Sequence, residues 1–205
     1  MEIQEIMGKK YQKELVTINI VWANVFGLIV LAIALVIFGL PYFLIWHNKL
    51  LNSEPNVILS SYDKLVLVFK NLSFAFLFLV LGIILHELIH GIFFMIFSKN
   101  KIKSIKFGIM PADKLFTPYC HCKEQLKIWH YKISVMMPLI ILGIVPAIVS
   151  IITGNLSIFI FGIVLTSAGC GDLLIFLKLM KEKKNNYVYD HPSEAGYYVY
   201  RLLEE

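Results

Sequence analysis

The chain carries the string His86-Glu87-Leu88-Ile89-His90 inside an apolar run from Leu72 to Phe97. Two imidazoles and a carboxylate in such a run cost several kcal/mol of desolvation unless something pairs with them. On a helix of about 3.6 residues per turn, His86 and His90 project only about 40° apart, one turn above each other. Two ring nitrogens at that spacing can meet one Zn²⁺, with Glu87 beside them to take a proton from water. The chemistry this predicts is metal-assisted hydrolysis, with His86 and His90 as metal ligands and Glu87 as the catalytic acid/base. A di-iron carboxylate bundle would also use Glu87-x-x-His90, but it needs a second Glu-x-x-His that the sequence lacks.

A zinc held by two histidines has a place for a third protein ligand. A metzincin would put glycine three residues after His90 and histidine three later, where Phe93 and Ile96 stand. Asp172, in the segment SAGCGDLLIF, is the only carboxylate besides Glu87 within an apolar run. Buried acids seek cations, so Asp172 is expected as the third metal ligand, with Gly169 and Gly171 allowing close approach. The alternative is that it accepts a hydrogen bond from a ligand histidine. Asp113, Glu124, Asp190 and Glu194 fall outside the apolar runs, and Asp190-His191 reads as a solvated turn.

These residues need a scaffold. Of 205 residues, 58% are hydrophobic and the mean hydropathy is +0.73, whereas a soluble domain averages about 45–50% apolar. Four stretches are long enough for a hydrocarbon core of ~30 Å: about Ile18 to Ile45, Leu72 to Phe97, Ile133 to Ile152 and Leu156 to Leu177. Little is left for a soluble unit, so residues 1–205 read as a single membrane-embedded domain. The first run exceeds the 7–15 residues of a signal h-region and lacks an A-x-A site, which predicts a retained helix. No prenylation or myristoylation signal is present.

Lysines set the expected orientation. Lys9, Lys10 and Lys13 precede the first run; Lys99, Lys101, Lys103, Lys106, Lys114, Lys123 and Lys127 follow the second; Lys178, Lys181, Lys183 and Lys184 follow the fourth. Only Lys49, Lys64 and Lys70 lie between the first two runs. The positive-inside rule then places both termini and the lysine-rich connection in the cytoplasm, in a cell membrane. The net charge of +5 suits anionic lipid headgroups, whereas short juxtamembrane clusters without stacking aromatics exclude a nucleic-acid interface.

From roughly Val21 to Phe38 the first run is scaffold, with only Asn24 polar, and it ends near Pro41 and the interfacial pair Trp46-His47. Ser60-x-x-Asp63 reads as a capping box that starts the second helix before the membrane. Gly82 and Gly91 flank the histidine turn and allow a neighbouring helix to come close. Residues 99 to 122 alternate as KIKSIKF, turn at GIMPADK and return as LFTPYCHC, which predicts a β-hairpin at the mouth of the site. Its edge could hold an extended substrate by strand addition, or the hairpin merely covers the site. Pro138, Gly143 and Pro146 predict a kinked third helix that admits water. Cys120 and Cys122 read as reduced loop thiols, and Cys170 lies in the fourth run. The expected fold class is an all-α polytopic membrane protein with four transmembrane helices and a short cytoplasmic β-hairpin between helices 2 and 3.

In HELIHGIFF, the hairpin ending in PYC, MMPLI, SAGCGD and the tail DHPSEAGYYVY, nearly the whole chain resembles a bacterial family of small membrane proteins described as putative zincin metallopeptidases. It is more distantly similar to site-2 proteases, which carry HExxH on one helix and an aspartate on a later one. Those proteases usually follow the aspartate with glycine; here Leu173 follows and Gly171 precedes. The resemblance implies His86, His90 and Asp172 as Zn²⁺ ligands, Glu87 as general acid/base, and a peptide or membrane-protein substrate met in the bilayer. Two other classes stand beside this one: a non-catalytic metal-binding membrane protein or regulatory subunit, and a small ion transporter. The transporter would need polar residues along several spans, and the first and third supply very few.

Overall fold

The computed structural model describes residues 2–6, 8–51, 60–112, 115–192 and 196–203. The chain opens with two strands, β1 (Glu2–Ile6) and β2 (Lys9–Thr17), paired antiparallel. Helix α1 (Ile20–Ala34) follows, its first turn capped by Asn19, whose side chain accepts from the Trp22 amide at 3.0 Å. A π-helical turn, Leu35–Gly39, leads directly into α2 (Leu40–Leu51). Pro41 has no N–H to give and its ring crowds the carbonyl one turn back, so the wider turn sits where it relieves that crowding.

Helix α3 (Ser61–Phe97) has 37 residues and begins at Ser60, whose hydroxyl accepts from the Asp63 amide at 3.2 Å, as the capping box predicts. At 1.5 Å per residue it is about 55 Å long, well beyond a ~30 Å hydrocarbon core. Residues 61–79 are exposed on every side, and the helix makes its buried contacts only in its second half. A hairpin of β3 (Ile105–Ala112) and β4 (Leu115–Cys122) follows at the predicted position, with Phe107 opposite Cys120. Its tip at 113–114, including Asp113, lies outside the described residues.

After the two-residue strand β5 (Leu126–Lys127), α4 (Ile128–Pro138) and α5 (Val145–Thr153) form one helical rod joined by a second π segment, Leu139–Ile144. The segment lies between Pro138 and Pro146, so the predicted irregularity is a widened stretch of helix. Helices α6 (Leu156–Ala168) and α7 (Cys170–Leu179) meet at Gly169 with a bend of 47°. Strands β6 (Tyr187–Asp190) and β7 (Gly196–Leu202) end the chain.

Three helices are long and apolar enough to cross a membrane, Val21–Lys49, Ser61–Phe97 and Ile128–Thr153, and the bent α6–α7 pair passes the same test together. The fourth run expected from the sequence is two helices bent at a break, so the helices that could span number three, or four if that pair counts as one. The all-α expectation also needs correction. The terminal strands and β5 form a five-stranded antiparallel sheet in the order β1-β2-β7-β6-β5. The cause is non-local: β2, read in the sequence only as lysines preceding the first run, finds its partner in β7. The Asp190-His191 turn is corrected likewise, since Asp190 ends strand β6 opposite Tyr197; Glu194 lies outside the described residues.

The sheet gathers both chain ends and the segment after the hairpin at one end of the helices. Its inner face supplies Val188, Tyr197 and Val199 to a core with Phe94, Ile128, Tyr131, Val135 and Leu179. Full burial of such side chains contributes about 1.5–3 kcal/mol each. At the opposite end, Gly154 adopts φ +64° to turn α5 into α6, and Trp46 and Lys49 close over that turn. The Trp46 indole donates to the Ile151 carbonyl at 2.9 Å, and the Lys49 ammonium to the Gly154 carbonyl at 3.2 Å.

Candidate metal centre

The 3.6-residue repeat of α3 stacks His86 and His90 one turn apart, with ring centroids 4.8 Å from each other and ring planes at 80°. The bend at Gly169 lets α7 start afresh close to them, because a side chain on Gly169 would run into Leu139. Asp172 sits in the first turn of α7, where the helix dipole favours a carboxylate. Its Oδ2 is 2.9 Å from His86 Nε2 and its Oδ1 is 3.3 Å from His90 Nε2. Three ligand atoms, one from each residue, lie within 4.8 Å of one another. His90 is buried, and His86 and Asp172 are each about one-sixth exposed at the side chain.

The donor set fits zinc. In a tetrahedral site with bonds of about 2.0–2.1 Å, neighbouring donors stand about 3.3 Å apart. The two contacts to Asp172, 2.9 and 3.3 Å, lie just below and at that edge. His90 Nδ1 lies 2.9 Å from the Ser134 carbonyl oxygen on α4. A carbonyl can only accept, so Nδ1 carries the proton and the Nε2 lone pair faces Asp172 and His86.

Glu87 stands beside this triad and outside it. It is half-buried, and its carboxylate comes within hydrogen-bonding reach of the Cys120 backbone on β4. The hairpin reaches that depth because residue 91 is glycine: a Cβ there would collide with the Phe107 ring and touch the Cys120 sulfur. Gly82 admits Leu165 of the neighbouring helix α6, as the sequence suggested, whereas Gly91 admits the hairpin instead of a helix.

A second polar group lies between hairpin, sheet and α4. Asp190 accepts from the Tyr131 hydroxyl at 2.9 Å and from the Cys122 amide at 3.3 Å, and its Oδ2 is 3.4 Å from Nδ1 of the buried His121. Burial pushes both hairpin thiols up, Cys122 to about 11, so they stay protonated at neutral pH. Cys120 and Cys122 are free thiols, and among the described residues the only metal-type cluster is His86, His90 and Asp172. His47 is partly exposed beside the Leu44 carbonyl, far along the chain from this centre.

The sequence pointed to all three members of the triad and to Glu87. It missed the Ser134 carbonyl, because a backbone acceptor leaves no mark on residue type. It also missed the His121–Asp190–Tyr131 group, for which alternation in YVYD and GYYVYRL was the available signal.

A family model described as Putative zincin peptidase matches residues 78–187, a segment running from the second half of α3 through the hairpin and α4 to Asp172 and beyond. No curated protein and no solved structure matches the chain.

Proposed function

Since the chain belongs to the putative zincin peptidase family, we propose that it is an intramembrane zinc metallopeptidase that hydrolyses peptide bonds of membrane-associated substrates. His86, His90 and Asp172 are its metal ligands and Glu87 is its general acid/base. The observation that carries this reading is the meeting of three ligand atoms from α3 and α7 within 4.8 Å, beside a glutamate, in apolar stretches of those helices.

A bound zinc ion supplies Lewis acidity toward water and toward a peptide carbonyl. The rest is the work of the chain. His90 is aimed by the Ser134 carbonyl, and Asp172 offsets the charge of a cation that its apolar surroundings would otherwise repel. Glu87 accepts a proton as water attacks the carbonyl carbon and returns it to the leaving nitrogen. The closeness of β4 to Glu87 favours a substrate held in extended form along the hairpin.

The lysine-rich end, which carries the sheet and the hairpin, faces the cytoplasm in this reading, with the whole chain acting as one unit in a cell membrane. Its partners are the bilayer and a peptide or membrane-protein substrate. Detergent-purified protein should contain about one zinc per chain and cleave members of a quenched-fluorescence peptide library in a chelator-sensitive way. Zinc without cleavage would favour a non-catalytic metal-binding protein. Absence of bound metal would overturn both.

A further inference from the structure

On the far side of α7 from Asp172 lies a cleft of about 770 Å³, between that helix and the inner face of the sheet. Leu174, Leu177 and Lys178 form one stripe along α7, at about 100° per residue roughly opposite Asp172, and Lys181 follows in the turn after the helix. The cleft is therefore separate from the metal centre. Its wall changes character along its length: Val16, Leu174 and Leu177 are apolar, and Lys178, Lys181, Lys183 and Arg201 bring four cations against the single carboxylate of Glu182.

Arg201 is already committed. Its guanidinium grips Glu182 at 2.7 Å from Nη2 and also pairs with Glu14 on β2, which fixes the floor of the cleft. Lys178 and Lys181 are exposed, and neither ammonium meets a carboxylate among the described residues; Lys178 reaches only the Thr17 carbonyl at 3.5 Å. The two lysines stand where the apolar α6–α7 pair ends, with leucines leading back along the helix. A ligand that fits must carry a negative head for the lysines and a hydrocarbon tail for the leucines.

We infer that this cleft binds the headgroup of an anionic phospholipid, with an acyl chain lying along Leu174 and Leu177. The inference rests on the membrane embedding proposed above and is independent of peptidase chemistry. Phosphate oxygens accept from Lys178 and Lys181, while the Arg201–Glu182 pair walls off the sheet side. Bound there, the lipid ties β2 and β7 to α7, the helix that holds Asp172.

The test reconstitutes the protein in phosphatidylcholine vesicles doped with spin-labelled phosphatidylglycerol or, separately, spin-labelled phosphatidylcholine. Spin resonance then reads the motionally restricted fraction of each label. Wild type should restrict phosphatidylglycerol about threefold or more over phosphatidylcholine. Lys178→Gln with Lys181→Gln should bring that ratio close to one. Lys103→Gln with Lys106→Gln, which removes the same charge at the hairpin, should preserve it. Equal ratios in both double variants overturn the site, as does displacement of the labelled lipid by inorganic phosphate. Failure of the membrane reading itself would look different, because neither label would then show a restricted component.

Discussion

His90 stands between two acceptors: its Nδ1–H donates to the Ser134 carbonyl on α4 at 2.9 Å, and its Nε2 lone pair lies 3.3 Å from Asp172 on α7, the spacing of two donors to one ion. One imidazole thus joins three helices, α3, α4 and α7, and its tautomer is set by a backbone atom that substitution cannot remove. The geometry of the three side chains follows from the packing of those helices, so it should survive changes at their exposed apolar positions.

Replacing His86 or His90 with Ala should each take zinc from about one per chain to near none, because two remaining donors make a weak site. Asp172→Ala separates two roles. A ligand role predicts the same near-complete loss by elemental analysis, whereas an acceptor of a histidine hydrogen bond predicts a drop of about 10–100-fold in affinity. Full zinc retention in Asp172→Ala would remove the aspartate from the centre.

Glu87→Gln keeps the shape of the side chain and removes its proton acceptor. Zinc content should stay at the wild-type level while kcat falls by about 10²–10⁴-fold. A variant with wild-type turnover would show that another group moves the proton.

Tyr131→Phe deletes the hydroxyl that donates to Asp190 at 2.9 Å in a buried setting. Leaving that acceptor short of a partner should destabilise the fold by about 1–3 kcal/mol, seen as a lower Tm in detergent. Bound zinc should be unchanged, since the Ser134 carbonyl stays in place. Loss of zinc at full thermal stability would instead tie the hydroxyl to the metal centre.

Glu124 offers a dependence on pH outside the membrane. Partial burial pushes its carboxyl up, but the Ser104 hydroxyl, the Lys99 and Asn100 amides and the Asn100 side chain outweigh this and bring it down to about 2. Because the folded value lies below the ordinary one of 4.5, the carboxylate contributes its full stabilisation above that pH. The contribution fades as pH falls toward about 2. Hydrogen exchange at residues 99–104 should accelerate between pH 5 and pH 3, beyond the intrinsic trend, and Glu124→Gln should flatten the difference. Equal profiles for both proteins would contradict it.

The parts of this molecule visible in its sequence are those governed by local spacing or by the cost of polarity among apolar residues. HELIH and Asp172 stood out because ionisable groups are rare in apolar runs, and the hairpin because Lys and Ile alternate before a glycine-proline turn. The sheet escaped because its central pairing joins Tyr11 to Leu202 and Thr17 to Gly196, nearly the whole chain apart, and no local window contains both partners. The bend at Gly169 escaped because SAGCG is also acceptable within a straight apolar helix. Its position depends on Leu139 occupying the space above that glycine.

That long-range pairing has a consequence for biogenesis. During translation β2 emerges long before β7, and it must wait for that partner while every helix between them is made. Until Gly196 to Leu202 leaves the ribosome, β2 and β6 each keep an unsatisfied edge, and Leu179 and Tyr131 lack their cover. A chain that stalls before that strand therefore presents open strand edges, whatever the state of His86, His90 and Asp172.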